Sequence, residues 1–313
     1  MASFQAGIAR WVARVTTKRE VRNALGKPDF VRRYRTTLNR MRLTFGRLPR
    51  GAQALAVDEN GIRGEWVLGD AAASTVVLYN HGGGYVALSP PPYRSLTGAL
   101  ALKCGARVFA LDYRLAPEHP YPAAVDDAIA AYDWLLAQGI APQNVVVGGD
   151  SAGGGLTLSL LLALRRRGRP LPACAFLFSP WVDLTGTSDS VRTNAESDDV
   201  LVHDGSDRFA RMYAGDRALD DPDVSGLFAD LSGLPPLLVQ ASTIEMLRDD
   251  AVRLVERAGA AGVDARLHLY DGLPHVWQLF ANLPESREAL AQIAQFVAAN
   301  AGLPNPGARP TLR

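Results

Sequence analysis

Three side chains able to divide the work of breaking an acyl bond stand far apart in this chain: a serine at 151, a carboxylate near 245 and a histidine at 275. Ser151 lies within Gly149-Asp150-Ser151-Ala152-Gly153, a Gly-x-Ser-x-Gly run. The β-branched stretch Asn144–Gly148 reads as a strand entering it, and the apolar pattern Ala152–Arg166 as a helix leaving it. Strand, sharp glycine turn and helix are what a nucleophile elbow requires. Glycines keep Cβ atoms out of a crowded, strained turn. The start of the following helix aims free N–H groups and partial positive charge at developing negative charge.

A serine hydroxyl attacks poorly until a base takes its proton and a third group orients that base. On an elbow the partners follow in the order Ser, Asp or Glu, then His. Five histidines are present: His81, His119, His203, His268 and His275. Of the three beyond Ser151, His203 falls in a polar insertion and His268 in mid-strand. His275 closes the turn Asp271-Gly272-Leu273-Pro274-His275 directly after a strand, where parallel-sheet sites collect. The acid should follow the strand Pro236–Ala241, with Glu245, Asp249 and Asp250 in reach. Asp249 and Asp250 read as the first turn of the next helix, where carboxylates favour the dipole. Glu245, in the connecting loop, is therefore preferred, and Asp271 is a weaker candidate.

Upstream, His81-Gly82-Gly83-Gly84-Tyr85 follows the strand Thr75–Asn80. The N–H groups of Gly83 and Gly84, with that of Ala152, are expected to form an oxyanion hole. A phosphate cradle is disfavoured, because no Gly-Lys-Ser/Thr follows and no Gly-x-Gly-x-x-Gly opens a helix. His81 is expected to fix this loop, and Asp112, Arg114 and Glu118 to form an ion network beneath it. Tyr85, Leu201, Val202, Phe209, Tyr213 and Trp277 are the expected pocket wall.

Positioning these groups requires a particular frame. Strands are expected at Gln53–Asp58, Gly64–Leu68, Arg107–Asp112, Ala173–Phe178 and Ala265–Tyr270, besides those above. Helices are expected at Leu96–Cys104, Ala123–Leu136, Ser206–Ala214, Asp249–Ala261 and Glu285–Asn300. The alternation implies βαβ units, hence an α/β fold with a mostly parallel sheet. Asp183–Gly233 interrupts it with a polar stretch of the length that functional lids have.

Composition narrows the remaining choices. The 313 residues suffice for a large core, and a net charge of +1 calls for no anionic partner overall. The charge is uneven: residues 1–50 hold 13 Lys or Arg against Glu20 and Asp29, a local net of +11. A membrane or nucleic-acid arm competes there with amphipathic helices whose buried stripe is Trp11, Val15, Phe30, Tyr34, Leu38 and Met41. Helical spacing favours the second reading. Cys104 and Cys174 read as buried free thiols. Met1–Val15, broken by Arg10 and Arg14, lacks a signal-peptide core, and no run approaches the ~18 apolar residues of a membrane span. A cytoplasmic protein without metal, cofactor, nucleic acid or stable membrane insertion is expected.

Four motifs in this order resemble the hormone-sensitive-lipase family of α/β-hydrolases: His81-Gly82-Gly83-Gly84, Asp112-Tyr113-Arg114-Leu115-Ala116-Pro117-Glu118, Gly149–Gly154 and Asp271–His275. The resemblance, from about residue 50 to residue 300, implies an α/β-hydrolase fold with an eight-stranded, mostly parallel sheet flanked by helices. It implies a helical cap from residues 1–50 and the insertion 183–233, over a catalytic domain of 51–182 and 234–302; the Gly- and Pro-rich composition of 303–313 separately predicts a flexible tail. Many members carry Asp-Pro-Leu at the acid position. Here Glu245-Met246-Leu247-Arg248-Asp249 occupies it, so Glu245 falls where the family acid falls. The implied function is a serine carboxylesterase working through an acyl-enzyme on a small-molecule ester, and a homodimer is compatible. Short to medium acyl chains are expected, since the cap sequence shows no long apolar stripe for a lipid interface. The pattern is also similar to lactone and acetyl-ester hydrolases. A lactone hydrolase using the same triad stands as the alternative, with an amidase or a non-catalytic ligand-binding homologue behind it.

Overall fold

Short, mainly apolar runs without a polar–apolar alternation must be buried on both faces. Val76–Asn80 (β3), Val145–Asp150 (β5), Cys174–Phe178 (β6) and Leu237–Ser242 (β7) are such strands, each buried throughout. Gln53–Glu59 (β1), Ile62–Leu68 (β2), Arg107–Leu111 (β4) and Ala265–Tyr270 (β8) complete one eight-stranded sheet of order β1-β2-β4-β3-β5-β6-β7-β8. β2 pairs antiparallel with β1 and β4, and every other pair is parallel. This is a computed structural model, and it describes residues 2–281 and 283–302. The expected tail 303–313 lies outside the described residues.

The helices follow in chain order. Phe4–Ala13 (α1), Arg19–Leu25 (α2), Phe30–Asn39 (α3) and Arg42–Phe45 (α4) make up the basic N-terminal region, with a π-helical stretch Arg14–Lys18 joining α1 to α2. Arg94–Cys104 (α5), Ala123–Ala137 (α6) and Ala152–Arg166 (α7) connect the central strands. Asp189–Thr193 (α8) and His203–Ala214 (α9) lie in the insertion, and Arg248–Ala260 (α10) and Pro284–Asn300 (α11) close the chain. α5 packs on α11 and α6 on α7, covering the sheet as parallel strands require. Among the described residues no helix is long and apolar enough to cross a membrane.

β3 lies between β4 and β5, so chain order departs from it in both directions. Such a switch point opens a crevice beyond the strand ends. Asn80 stands beside Gly149, Asp150 beside Phe178 and Ser242 beside Tyr270. The glycine loop, the elbow and the loops after β7 and β8 therefore leave one edge together. β5 runs two residues past the expected Gly148, because Gly149 and Asp150 still pair with Leu177 and Phe178.

Two expectations fail in the N-terminal region. Phe30, Tyr34 and Leu38 are buried as expected, but Trp11 is exposed and Val15 and Met41 only half-buried. Helix α1 turns Ala6, Ala9 and Ala13 inward instead. Only methyl-sized groups fit where it lies against Leu273, Trp277 and Ala289. An apolar stripe is therefore exposed on the N-terminal helices after all: Phe4, Ile8 and Trp11. The insertion also divides. Its first part, through Asp199, packs beside α10 and the loop after β7, whereas α9 joins α2, and its Phe209 stacks on Phe30 and Tyr34.

Candidate active site

The elbow is as tight as its glycines imply. Ser151 has φ 52° and ψ −123°, and its N–H donates to Phe178 O at 2.8 Å. A Cβ on Gly149 would lie 2.6 Å from Asn80 O, and one on Gly153 would overlap the carbonyl oxygens of Asn80 and His81. The first bond of α7 runs from Gly155 N–H to Ser151 O, so the N–H of Ala152 has no acceptor within the helix.

A carboxylate, a backbone N–H and a hydroxyl organise the imidazole of His275. His275 Nδ1–H donates to Glu245 Oε2 at 2.6 Å, and both residues are buried. Glu245 Oε1 accepts from Ser242 N–H at 2.7 Å and Ser179 Oγ–H at 3.0 Å. With Nδ1 protonated toward the carboxylate, Nε2 is left as the basic nitrogen. Burial alone would depress the imidazole pKa. The hydrogen bond and charge of Glu245, aided by Asp198 and Asp150, outweigh it, and the net shift is upward. Among the described residues Ser151 Oγ has no hydrogen-bond partner, yet it and His275 border the same cavity. Contacts between nucleophile and base are commonly long until substrate is bound.

Gly83 (φ 114°) and Gly84 (φ 65°) also border that cavity. Their N–H groups meet no acceptor among the described residues. Asp150 holds the loop from below: its carboxylate accepts from Tyr79 Oη at 2.8 Å, Tyr93 Oη at 3.0 Å and Gly82 N–H at 3.0 Å. Burial pushes its pKa up to about 6, against the pull of those donors. His81 stacks on Tyr113 at 4.3 Å, and burial lowers its pKa to about 4, so it is neutral. The expected network beneath the loop is corrected. Arg114 pairs with Asp127 at 2.7 Å and Glu118 with Arg35 at 2.6 Å, and Asp112 joins neither. These pairs sit at the surface because the turn after β4 points its charged side chains outward.

The cavity encloses about 580 Å³. Leu201, Val202 and Phe209 line it. Tyr85, Tyr213 and Trp277 do not, which corrects the expected wall. Tyr85 and Tyr213 stack face to face at 3.7 Å beneath it, and Trp277 packs on Tyr270 at 4.9 Å under helix α1. Their places are taken by Val12, Val15, Leu38 and Met41 from the N-terminal helices.

Sequence reasoning missed Asp198, whose buried carboxylate accepts from Val200, Leu201 and Met246 N–H, each at 2.8 Å. It ties the cavity wall to the loop of Glu245. Within an acidic run its one signal was position, since an Asp ahead of two free N–H groups favours an Asx turn. Asp249 and Asp250 instead bind the start of the insertion: Asp250 accepts from Val182 and Asp183 N–H, and Asp249 from Ser190 N–H. Asp271 accepts from Thr243 Oγ1 at 3.1 Å. Among the described residues no cluster of three His, Cys, Asp or Glu could hold a metal ion.

A buried Glu–His pair, a serine on a strained turn and unoccupied N–H donors around one apolar cavity are the parts of an acyl-transfer site. Comparison with known proteins agrees. A family model described as an alpha/beta hydrolase fold matches residues 77–279. An esterase of Acinetobacter venetianus is 41% identical over 238 residues, covering 75% of this chain and 78% of that protein. An acetyl-hydrolase of Streptomyces hygroscopicus is 42% identical over 234 residues, covering 74% and 78%. The crystal structure of an esterase from the bacterial hormone-sensitive lipase family superposes with a TM-score of 0.85 at 42% identity, covering 96% of this chain and all of that one. With this likeness joined to the site's parts, the chain belongs to the hormone-sensitive-lipase family of α/β-hydrolases and is a carboxylic-ester hydrolase.

Proposed function

We propose that this hydrolase is a serine esterase, with Ser151, His275 and Glu245 as its triad, acting on short- to medium-chain carboxylic esters through an acyl-enzyme. The observation that carries the reading is the 2.6 Å contact between Glu245 and His275 at the wall of the cavity that Ser151 enters. His275 Nε2 takes the Ser151 proton as Oγ bonds to the ester carbonyl carbon. The carbonyl oxygen becomes an oxyanion held by the N–H groups of Gly83, Gly84 and Ala152. The C–O bond to the alcohol then breaks, and the alcohol leaves with the proton from His275. Water repeats the sequence on the acyl-enzyme, releasing the acid. Glu245 fixes the tautomer and stabilises the imidazolium.

The cap, in this reading, is α1–α4 together with α9, which supply the apolar wall facing Ser151. A cavity of about 580 Å³ suits a small ester. The acetyl-hydrolase among the relatives supports a short acyl group. Ser151→Ala is expected to lower turnover about 10⁴-fold or more on p-nitrophenyl esters and to abolish labelling by a fluorophosphonate. A purified Ser151→Ala protein that keeps ester cleavage would refute the triad, and a chain-length series peaking on long acyl chains would refute the size assignment.

A further inference from the structure

Helix α1 is amphipathic in an unusual sense. Its small residues Ala6, Ala9 and Ala13 face inward, and its large apolar ones face water: Phe4, Ile8 and Trp11 are 83%, 50% and 65% exposed. Their i, i+4, i+7 spacing places them on one stripe. Val15 continues the stripe and borders the active-site cavity. Leu43 on α4, 87% exposed, borders the same cavity. Single exposed apolar residues are ordinary, but a stripe that runs to the mouth of a site marks an interaction surface.

The helix is firmly seated. Ser3 caps it and bonds Glu285 through its N–H at 2.6 Å and its Oγ at 3.0 Å. Arg10 and Arg14 bind Asp199 at 2.6 and 2.8 Å. The stripe is thus held outward rather than waiting to fold in.

The same region carries the local net charge of +11. Arg19, Arg40, Arg42 and Arg47 are exposed and make no salt bridge among the described residues. Arg40 and Arg42 lie just before Leu43, and Arg40 borders the cavity together with Glu20. We infer that the outward face of α1, with the arginines around Leu43, docks on an anionic lipid bilayer and sets the cavity mouth against the headgroups. An ester dissolved in the bilayer would then reach Ser151 without crossing bulk water. Apolar side chains entering the interface beside cationic ones are what holds a surface helix on anionic lipid. A second copy is the poorer occupant, because a two-fold contact through this face would oppose two strongly cationic regions.

Sedimentation of the full chain with vesicles tests the inference, using phosphatidylcholine alone and an equimolar phosphatidylcholine–phosphatidylglycerol mixture. Binding is expected on the anionic vesicles, weakened by molar salt. Phe4→Ser/Ile8→Ser/Trp11→Ser is expected to lower the partition coefficient about tenfold or more. Arg19→Ser/Arg42→Ser, which alters no buried residue, is expected to lower it on anionic vesicles alone, so the result does not depend on the triple variant folding. Both variants should turn over a water-soluble ester as the parent does, which separates failure of docking from failure of the triad. Parent protein that stays in the supernatant with anionic vesicles overturns the inference. So does equal partitioning of parent and variants, or a dimer of the parent that the triple variant splits while neither binds lipid.

Discussion

Among single residues the proposed acid is the informative position. Glu245 is longer than an aspartate by one methylene, which does not loosen its hold on His275. Ser242 N–H and Ser179 Oγ clamp one carboxylate oxygen while the other meets the imidazole. The carboxylate is also the chief group that raises His275 against the lowering effect of burial. Because His275, as the proposed base, must be unprotonated to act, activity should rise with pH through a midpoint above the ordinary 6.5 of histidine. Glu245→Gln removes the raising charge and the tautomer lock. It is expected to move that limb to lower pH and to reduce turnover about 10³- to 10⁴-fold, read from kcat/KM against pH. An unmoved limb would assign the raised imidazole to another group. Glu245 was legible in the sequence because β7 and α10 bracket its loop, whereas Asp198 was not, because its partners are backbone N–H groups supplied by folding.

At the scale of elements, the elbow depends on how closely α7 approaches the end of β3. A side chain at 153 would enter the space held by two carbonyl oxygens of that strand's exit. Gly153→Ala is therefore expected to cost about 3 kcal/mol, measured as a shift in the urea unfolding midpoint, since backbone on both sides must move. A loss within experimental error would show that the helix start can yield. The insertion shows the limit of reading elements one at a time. Its polarity and length marked it as one lid-like insertion, but the two halves pack on different partners. Lys18, buried on the π-helical stretch, donates to Ala195 O at 2.7 Å and Asp198 O at 2.5 Å, joining the N-terminal region to the loop that supports Glu245. No local pattern announces a lysine whose acceptors lie so far along the chain.

For the whole molecule, stability should carry the signature of a buried carboxyl outside the catalytic groups. Asp250 knits α10 to the start of the insertion, and burial with the nearby charge of Asp183 lifts its pKa from 3.8 to about 7. The folded state thus binds this proton more tightly than the unfolded chain does. Its contribution is fully present below 3.8 and is lost as pH rises through about 7. Asp250→Asn is expected to flatten that decline in unfolding free energy, measured by denaturant titration across the same window. A decline of parental steepness would assign it to other groups. The alternation of strands and helices, the elbow and the glycine loop could be read from residue types and spacing, because each is written in a few adjacent residues under local steric rules. Which side chains face the cavity was settled by packing between distant segments. Tyr85 and Trp277 are aromatic and close to the site in sequence, yet they pack inward, as does Tyr213, and Val12, Val15 and Leu38 line the cavity instead. Such packing also decided that Trp11 faces water while alanines face the core. Helical periodicity reveals that a helix has two faces, but which face is covered depends on the room its neighbours leave.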